Sequence, residues 1–260
     1  MKRTCLAISL VIILAIIMLL AGCSSIGSTV TETKEFTNFT HIDVQNTFQV
    51  EIVQAASFSV TITAHKDLLD YISVSQEGET LEITLNPRHP FTDFSIGRKV
   101  LKAKIAMPVI TGLSLSGATR GSISGFKSAQ SFRLNVSGAS VLSMNDIEVG
   151  NTESDISGSS KVSGSLKAGD AKFVVSGASQ VDLKGSANNF TLTASGASIL
   201  GLLDFTVKTA NVNLDGASEL AIDVKDKLDI VLTGASKLYF RGNPTMGIIS
   251  VSGASTIKHK

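Results

Sequence analysis

One four-residue cluster recurs eight times in this chain and sets what it can fold into. It reads Ser116-Gly117-Ala118-Thr119, Ser137-Gly138-Ala139-Ser140, Ser157-Gly158-Ser159-Ser160 and Ser176-Gly177-Ala178-Ser179. It returns as Ser195-Gly196-Ala197-Ser198, Asp215-Gly216-Ala217-Ser218, Thr233-Gly234-Ala235-Ser236 and Ser252-Gly253-Ala254-Ser255. The glycines are spaced by 21, 20, 19, 19, 20, 18 and 19 residues. A fixed period near 20 residues marks a solenoid, in which each repeat stacks on the last.

Alignment on the glycines shows what surrounds them. Four residues before, the column holds Leu113, Leu134, Ser154, Phe173, Leu192, Val212, Ile230 and Ile249. The columns two before, four after and six after are also mainly apolar. The residue three after is mixed: Arg120, Val141, Lys161, Gln180, Ile199, Glu219, Lys237 and Thr256. Each repeat therefore reads as a strand, a tight corner, a second strand and a variable link. Glycine suits the corner because it reaches positive φ without a Cβ clash. The flanking Ser and Thr can bond to turn backbone, or to their equivalents on adjacent rungs. The period is too short for long horseshoe helices, and the Leu/Asn and Gly-Gly-x-Gly-x-Asp signatures are missing. The expected fold is all-β, a right-handed parallel β-helix over residues 113–260. Residues 36–112 alternate apolar and polar positions and are expected to form a β-rich region that packs into the solenoid. Lys66 to Tyr71 reads as one helical turn, and Glu77-Gly78-Glu79-Thr80 as a hairpin turn.

The chain begins with Lys2 and Arg3, then an apolar run from Cys5 to Ala21, then Gly22-Cys23. That order is a secretory signal, expected over residues 1–22. Leu20-Ala21-Gly22-Cys23 resembles a bacterial lipobox, which implies cleavage before Cys23 and lipidation (palmitate) of its sulfur. The alternative is an uncleaved anchor helix, for which a run of 17 residues is short. Residues 23–35 read as a flexible tether. With Cys5 removed, no disulfide or cysteine metal site can form. Without Lys2 and Arg3, 21 basic residues face 22 acidic ones, and no basic block exists for nucleic acid.

The stretch from Met107-Pro108-Val109-Ile110-Thr111-Gly112-Leu113 into the Ser-Gly-Ala-Ser repeats resembles the GIN-domain family. So do Phe39-x-x-Ile42-x-Val44 and Phe48-x-Val50-x-Ile52. That family is labelled as an auto-transporter adhesin head, and the resemblance runs from Phe36 to Lys260. It implies a right-handed β-helix on a secreted or envelope protein, often a lipoprotein, and brings no catalytic residues.

Chemistry is sparse. His41, His65, His89 and His259 are scattered, so no metal or other cofactor is expected. Asp182 lies near Lys184 and Asp223 near Lys225, without a second carboxylate to complete an acid–base pair. No nucleophile elbow is present. An enzyme is therefore not expected. The proline-bounded loop with Arg88, His89, Phe91 and Phe94 is either a binding loop or a cap over the end of the solenoid. The last rung is expected to show an open edge on which another chain could stack, although Lys258 and Lys260 would discourage edge pairing. The expected function is non-catalytic: a cell-envelope protein, lipid-anchored through Cys23 to the outer or another extracytoplasmic leaflet. It would bind surface glycan or protein, with a self-associating scaffold (homo-oligomer) as the alternative and a polysaccharide enzyme after that.

Overall fold

A computed structural model describes residues 28–86 and 99–260 of the protein. The signal segment, Cys23, and the loop residues Arg88, His89, Phe91 and Phe94 lie outside the described residues. The N-terminal strands are β1 (Thr29–Lys34), β2 (His41–Val44), β3 (Gln49–Gln54), β4 (Ser59–His65), β5 (Ile72–Glu77), β6 (Thr80–Leu85) and β7 (Leu101–Met107). The repeats supply β8 (Gly112–Leu115), β9 (Arg120–Ser124), β10 (Phe132–Val136), β11 (Val141–Glu148), β12 (Thr152–Ile156), β13 (Lys161–Lys167) and β14 (Ala171–Val175). Then come β15 (Gln180–Ala194), β16 (Ile199–Leu214), β17 (Glu219–Leu232), β18 (Lys237–Arg241), β19 (Thr245–Val251) and β20 (Thr256–His259). A 3-10 turn at Lys66–Tyr71 joins β4 to β5 and buries Leu68.

These strands stack into a β-solenoid with three sides. Side A holds the strands before each corner. Parallel pairing runs from β6 through β2, β8, β10, β12 and β14 to the second halves of β15, β16 and β17, then β19. Side B holds the strands after each corner. It runs from β7 through β3, β9, β11 and β13 to the first halves of β15, β16 and β17, then β18 and β20. The variable link proves to be a third side. Glu148 registers with Lys167, Lys167 with Ser186 and Ser186 with Thr206. Its inner positions, Ile147, Leu166, Ala187, Phe205 and Val207, are buried.

The core is the column set foreseen by periodicity. Leu134, Phe173, Leu192, Val212 and Ile230 are all 2% exposed or less. Phe173, Phe190 and Phe205 form an edge-on aromatic file, with centroids 5.3 and 6.1 Å apart. Such tilted contacts add to plain burial.

The corner glycines have φ between +71° and +77°. At Gly177, a Cβ would collide with the carbonyl oxygen of Gly158 on the rung beside it. Two constraints thus converge, the left-handed backbone and the rung spacing of about 4.8 Å. The corners are tied to one another by backbone bonds: Ala139 N donates to Gly117 O at 2.7 Å and Ala178 N to Gly158 O at 2.8 Å. The hydroxyl that ends each cluster from Thr119 to Ser236 turns inward, and those of Ser140 and Ser160 have no partner among the described residues. Ser179, Ser198, Ser218 and Ser236 donate to the carbonyl three residues back at 2.9–3.0 Å. Their hydroxyls close their own corners, so the expected rung-to-rung hydroxyl ladder survives mainly as Thr233 donating to Asp215.

Two features depart from the sequence reading. The tether was expected to reach residue 35, yet Thr29–Lys34 is strand β1, paired antiparallel with β4. Its alternate residues Val30, Glu32 and Lys34 lie opposite Ala64, Ile62 and Val60, which is the register of an end strand. The second is a further corner. Asn46, φ +72°, stands under Gly117 in the same file, and Ala118 N donates to its carbonyl at 2.5 Å. Asn tolerates this backbone better than other residues with a side chain. Its Oδ1 also accepts bonds from Leu85 N at 2.8 Å and Thr84 Oγ1 at 3.0 Å, tying the first full rung to β6.

Candidate functional site

Side B carries the most distinct surface of the described residues. Strand geometry puts every second residue outward. One outward row registers Thr63, Lys102, Gln49, Arg120, Val141 and Lys161 across β4, β7, β3, β9, β11 and β13. The next row registers Thr61, Lys104, Glu51, Ser122, Ser143 and Ser163. Between them lies an open trough of about 680 Å³. The trough opens because Gly121, Ser122 and Ser143 are small beside the longer Lys, Arg, Gln and Glu side chains.

The cations of side B, Lys102 and Arg120 in the trough and Lys161 on the strand beyond it, differ from those of side A. Lys102, Arg120 and Lys161 sit on alternate strands, about 9.6 Å apart at the standard strand spacing. Among the described residues none of the three forms an ion pair, while Lys104 meets Glu51 at 3.4 Å. Side A, by contrast, neutralises itself. Arg133 and Lys172 both hold Glu153, at 2.9 and 2.8 Å. Hydrogen bonding and charge from Lys172, with the charge of Arg133, hold the Glu153 carboxyl below its usual range. Side B is therefore left with unpaired cations beside a ladder of hydroxyls, a combination suited to an extended anion with hydrogen-bonding groups.

The other candidates are structural. His41 is half-buried against Ser114, with Nε2 3.2 Å from its Oγ, and desolvation lowers its pKa. His259 stacks on Phe240 and its Nε2 lies 2.8 Å from Gly242 O. The described residues contain no cluster of His, Cys, Asp or Glu that could hold a metal ion. Asp223 is buried where side B passes into the third side, at the end of the first half of β17. It accepts from Lys225 at 2.9 and 3.1 Å and from Thr206 at 2.9 Å, with Arg241 at 3.7 Å. Desolvation pushes its pKa up, but these bonds and charges outweigh that and keep it below the usual range. Its neighbours are committed to it, which suits a rung fastener. Asp182 and Lys184 line a smaller trough with Asp204, farther along side B.

Sequence reasoning places Arg120 and Lys161 together in the mixed column three residues after the corner glycine. It did not bring Lys102 or Gln49 into that column, because β7 and β3 lack the corner motif. The alternation Leu101-Lys102-Ala103-Lys104-Ile105 was the available signal.

The fold has solved counterparts. A putative lipid binding protein from Parabacteroides distasonis superposes with a TM-score of 0.81 at 17% identity, over 90% of this chain and 98% of that one. A putative adhesin from Parabacteroides merdae gives 0.75 at 16%, over 90% and 97%. Another putative adhesin from P. distasonis gives 0.71 at 14%, over 90% and 98%. At such identities the likeness is one of fold. No curated protein matches the chain. The family model described as putative auto-transporter adhesin, head GIN domain, matches residues 38–244, from the first buried phenylalanine of the N-terminal region to the foot of the last rung, and the chain belongs to that family.

Proposed function

We propose that this protein is a non-catalytic, lipid-anchored adhesion protein of the cell envelope that grips an anionic surface glycan along side B. Family membership supports a surface or envelope location and an adhesive role. The lipobox-like Leu20-Ala21-Gly22-Cys23 supports a lipid anchor at Cys23. The observation that carries the ligand class is the file of unpaired Lys102, Arg120 and Lys161 on alternate strands beside Ser122, Ser143 and Ser163. A repeat of about two strand spacings is on the scale of a disaccharide, so in a polyuronate every second carboxylate would meet one cation. An open, flat trough suits a polymer bound by many weak contacts better than a small molecule enclosed in a pocket.

The test is binding of polygalacturonate against uncharged dextran, by calorimetry at low and moderate salt. Polygalacturonate should bind, weaken as salt rises, and lose at least tenfold in affinity in the Lys102→Ala/Arg120→Ala/Lys161→Ala variant. Equal binding of dextran, or an unchanged triple variant, would overturn the ligand class. Steady release of reducing ends from either polymer would overturn the non-catalytic reading.

A further inference from the structure

The two ends of the solenoid are complementary in charge and in apolar exposure, and we infer that copies of this chain stack head to tail, last rung on N-terminal end. This does not depend on which ligand side B takes.

At the last rung, the core files run out uncovered. Met246, Ile249 and Val251 register above Leu228, Ile230 and Leu232, so they continue the inward columns. They are nonetheless 37%, 52% and 44% exposed, and Ile248 beside them is 67% exposed. Among the described residues β19 pairs only with β17, and β20 only with β18. From Lys237 onward the sequence holds Lys237, Arg241, Lys258 and Lys260 and no Asp or Glu. Among the described residues Lys237 and Lys258 stand in no ion pair.

Among the described residues the other end has the opposite sign. Residues 29–35 and 66–79 carry Glu32, Glu35, Asp67, Asp70, Glu77 and Glu79 against Lys34 and Lys66, with Lys99 reaching Asp67 at 3.9 Å. Lys34 is spent on Glu32 at 2.7 Å, while Glu35, Asp70, Glu77 and Glu79 have no ion-pair partner among the described residues. Here β5 is an edge, paired only with β6 among the described residues, and its Ile72 and Val74 are half-buried. Strand directions fix the joint. β5 is antiparallel to β6, and β6 is parallel to every later strand of side A. A second copy continuing the axis therefore brings its β5 antiparallel onto β19, apolar on apolar, with an acidic rim on a basic one. Side B contributes less, because β1 turns Glu32 and Lys34 toward the core, a device that blunts an edge. Stacking last rung on last rung would instead oppose Lys258 and Lys260 to themselves. A head-to-tail contact uses two different patches, so it propagates into filaments.

The experiment is sedimentation of the full chain in detergent across concentration and ionic strength. Assemblies larger than a dimer should form at low salt and fall apart near 0.5 M, where screening is about 4 Å. Ile248→Lys, a change at an exposed side chain, should raise the concentration for half-assembly at least tenfold. Lys258→Glu/Lys260→Glu alone, and Asp70→Lys/Glu77→Lys alone, should each stay monomeric while melting like the parent. An equimolar mixture of these two should assemble again, since both of its mixed joints are matched. A parent that remains monomeric under all conditions overturns the proposal. So does a mixture that stops at heterodimers, which would mean last-rung-to-last-rung pairing.

Discussion

The two ends of this molecule solve the same problem differently. Any solenoid exposes the core and backbone of its terminal rungs. At the N-terminal end the chain reverses direction. β4 is added antiparallel to β7, β1 is added antiparallel to β4, β5 is folded back on β6, and Leu68 is buried within the 3-10 turn. Phe39 and Phe58 close the same region, with ring centroids 4.9 Å apart. At the other end β19 and β20 repeat the preceding rung and nothing among the described residues lies over them. Every residue of β19 is exposed. Closure thus requires sequence that breaks the repeat, and exposure follows wherever the repeat simply continues. The regular part supplies a register of side chains; the irregular part supplies stability at one end and adds Lys102, Gln49 and Glu51 to the side B trough.

The sharpest way to probe this contrast is to place one lesion at two heights. Gly177→Val forces a branched residue to φ +74° and drives its Cβ into Gly158 O. The expected loss is about 3–4 kcal/mol with a large fall in Tm. Gly253→Val meets the same geometry at φ +71° against Gly234 O. There the last rung can detach, so global Tm should fall far less while the signals of β19 and β20 are lost. Equal effects at both heights would refute independent fraying of the open end.

Asn46 tests the closed end. Asn46→Ala keeps a strained φ and removes an acceptor used by Leu85 N and Thr84 Oγ1. About 2 kcal/mol should be lost in denaturant unfolding. Asn46→Gly removes only the acceptor and should cost about half as much.

Asp223 tests the rungs just below the open end, where Arg241 of β18 reaches back to it and to Leu203 O. Its folded pKa is depressed, so its contribution is complete above the unfolded value of about 3.9 and disappears as pH falls through the lower folded value. Asp223→Asn should cost about 1–2 kcal/mol at pH 7, since Lys225 and Arg241 are half exposed and regain water. The difference from the parent should vanish once the pH lies below that depressed folded value. A difference that persists there would assign the loss to packing instead.

The repeat was legible because it imposes one residue type on one backbone state at a fixed interval. Corner glycines, inward columns and the outward row from Arg120 to Thr256 all follow from that spacing. Asn46 was not legible, because its rung uses Gln45-Asn46-Thr47-Phe48 where later rungs use Ser-Gly-Ala-Ser, and the shared property is a φ angle that no letter pattern displays. β1 was hidden by its composition. Thr29-Val30-Thr31-Glu32-Thr33-Lys34 reads as a polar linker, and only its place beside β4 makes it a strand. Likewise the unpaired state of Lys102, Arg120 and Lys161 depends on which strands become neighbours across gaps of up to 71 residues, as between Gln49 and Arg120.

The contrast between a closed and an open end is tested most directly by hydrogen exchange of the full chain at 0.5 M salt, where copies stand apart. Amide protection should be highest in β8 to β16, remain high in β3, β4 and β7, and drop steeply through β19 and β20. If β19 and β20 exchanged as slowly as β15, the last rung would be covered within a single molecule, and the open end described here would be wrong.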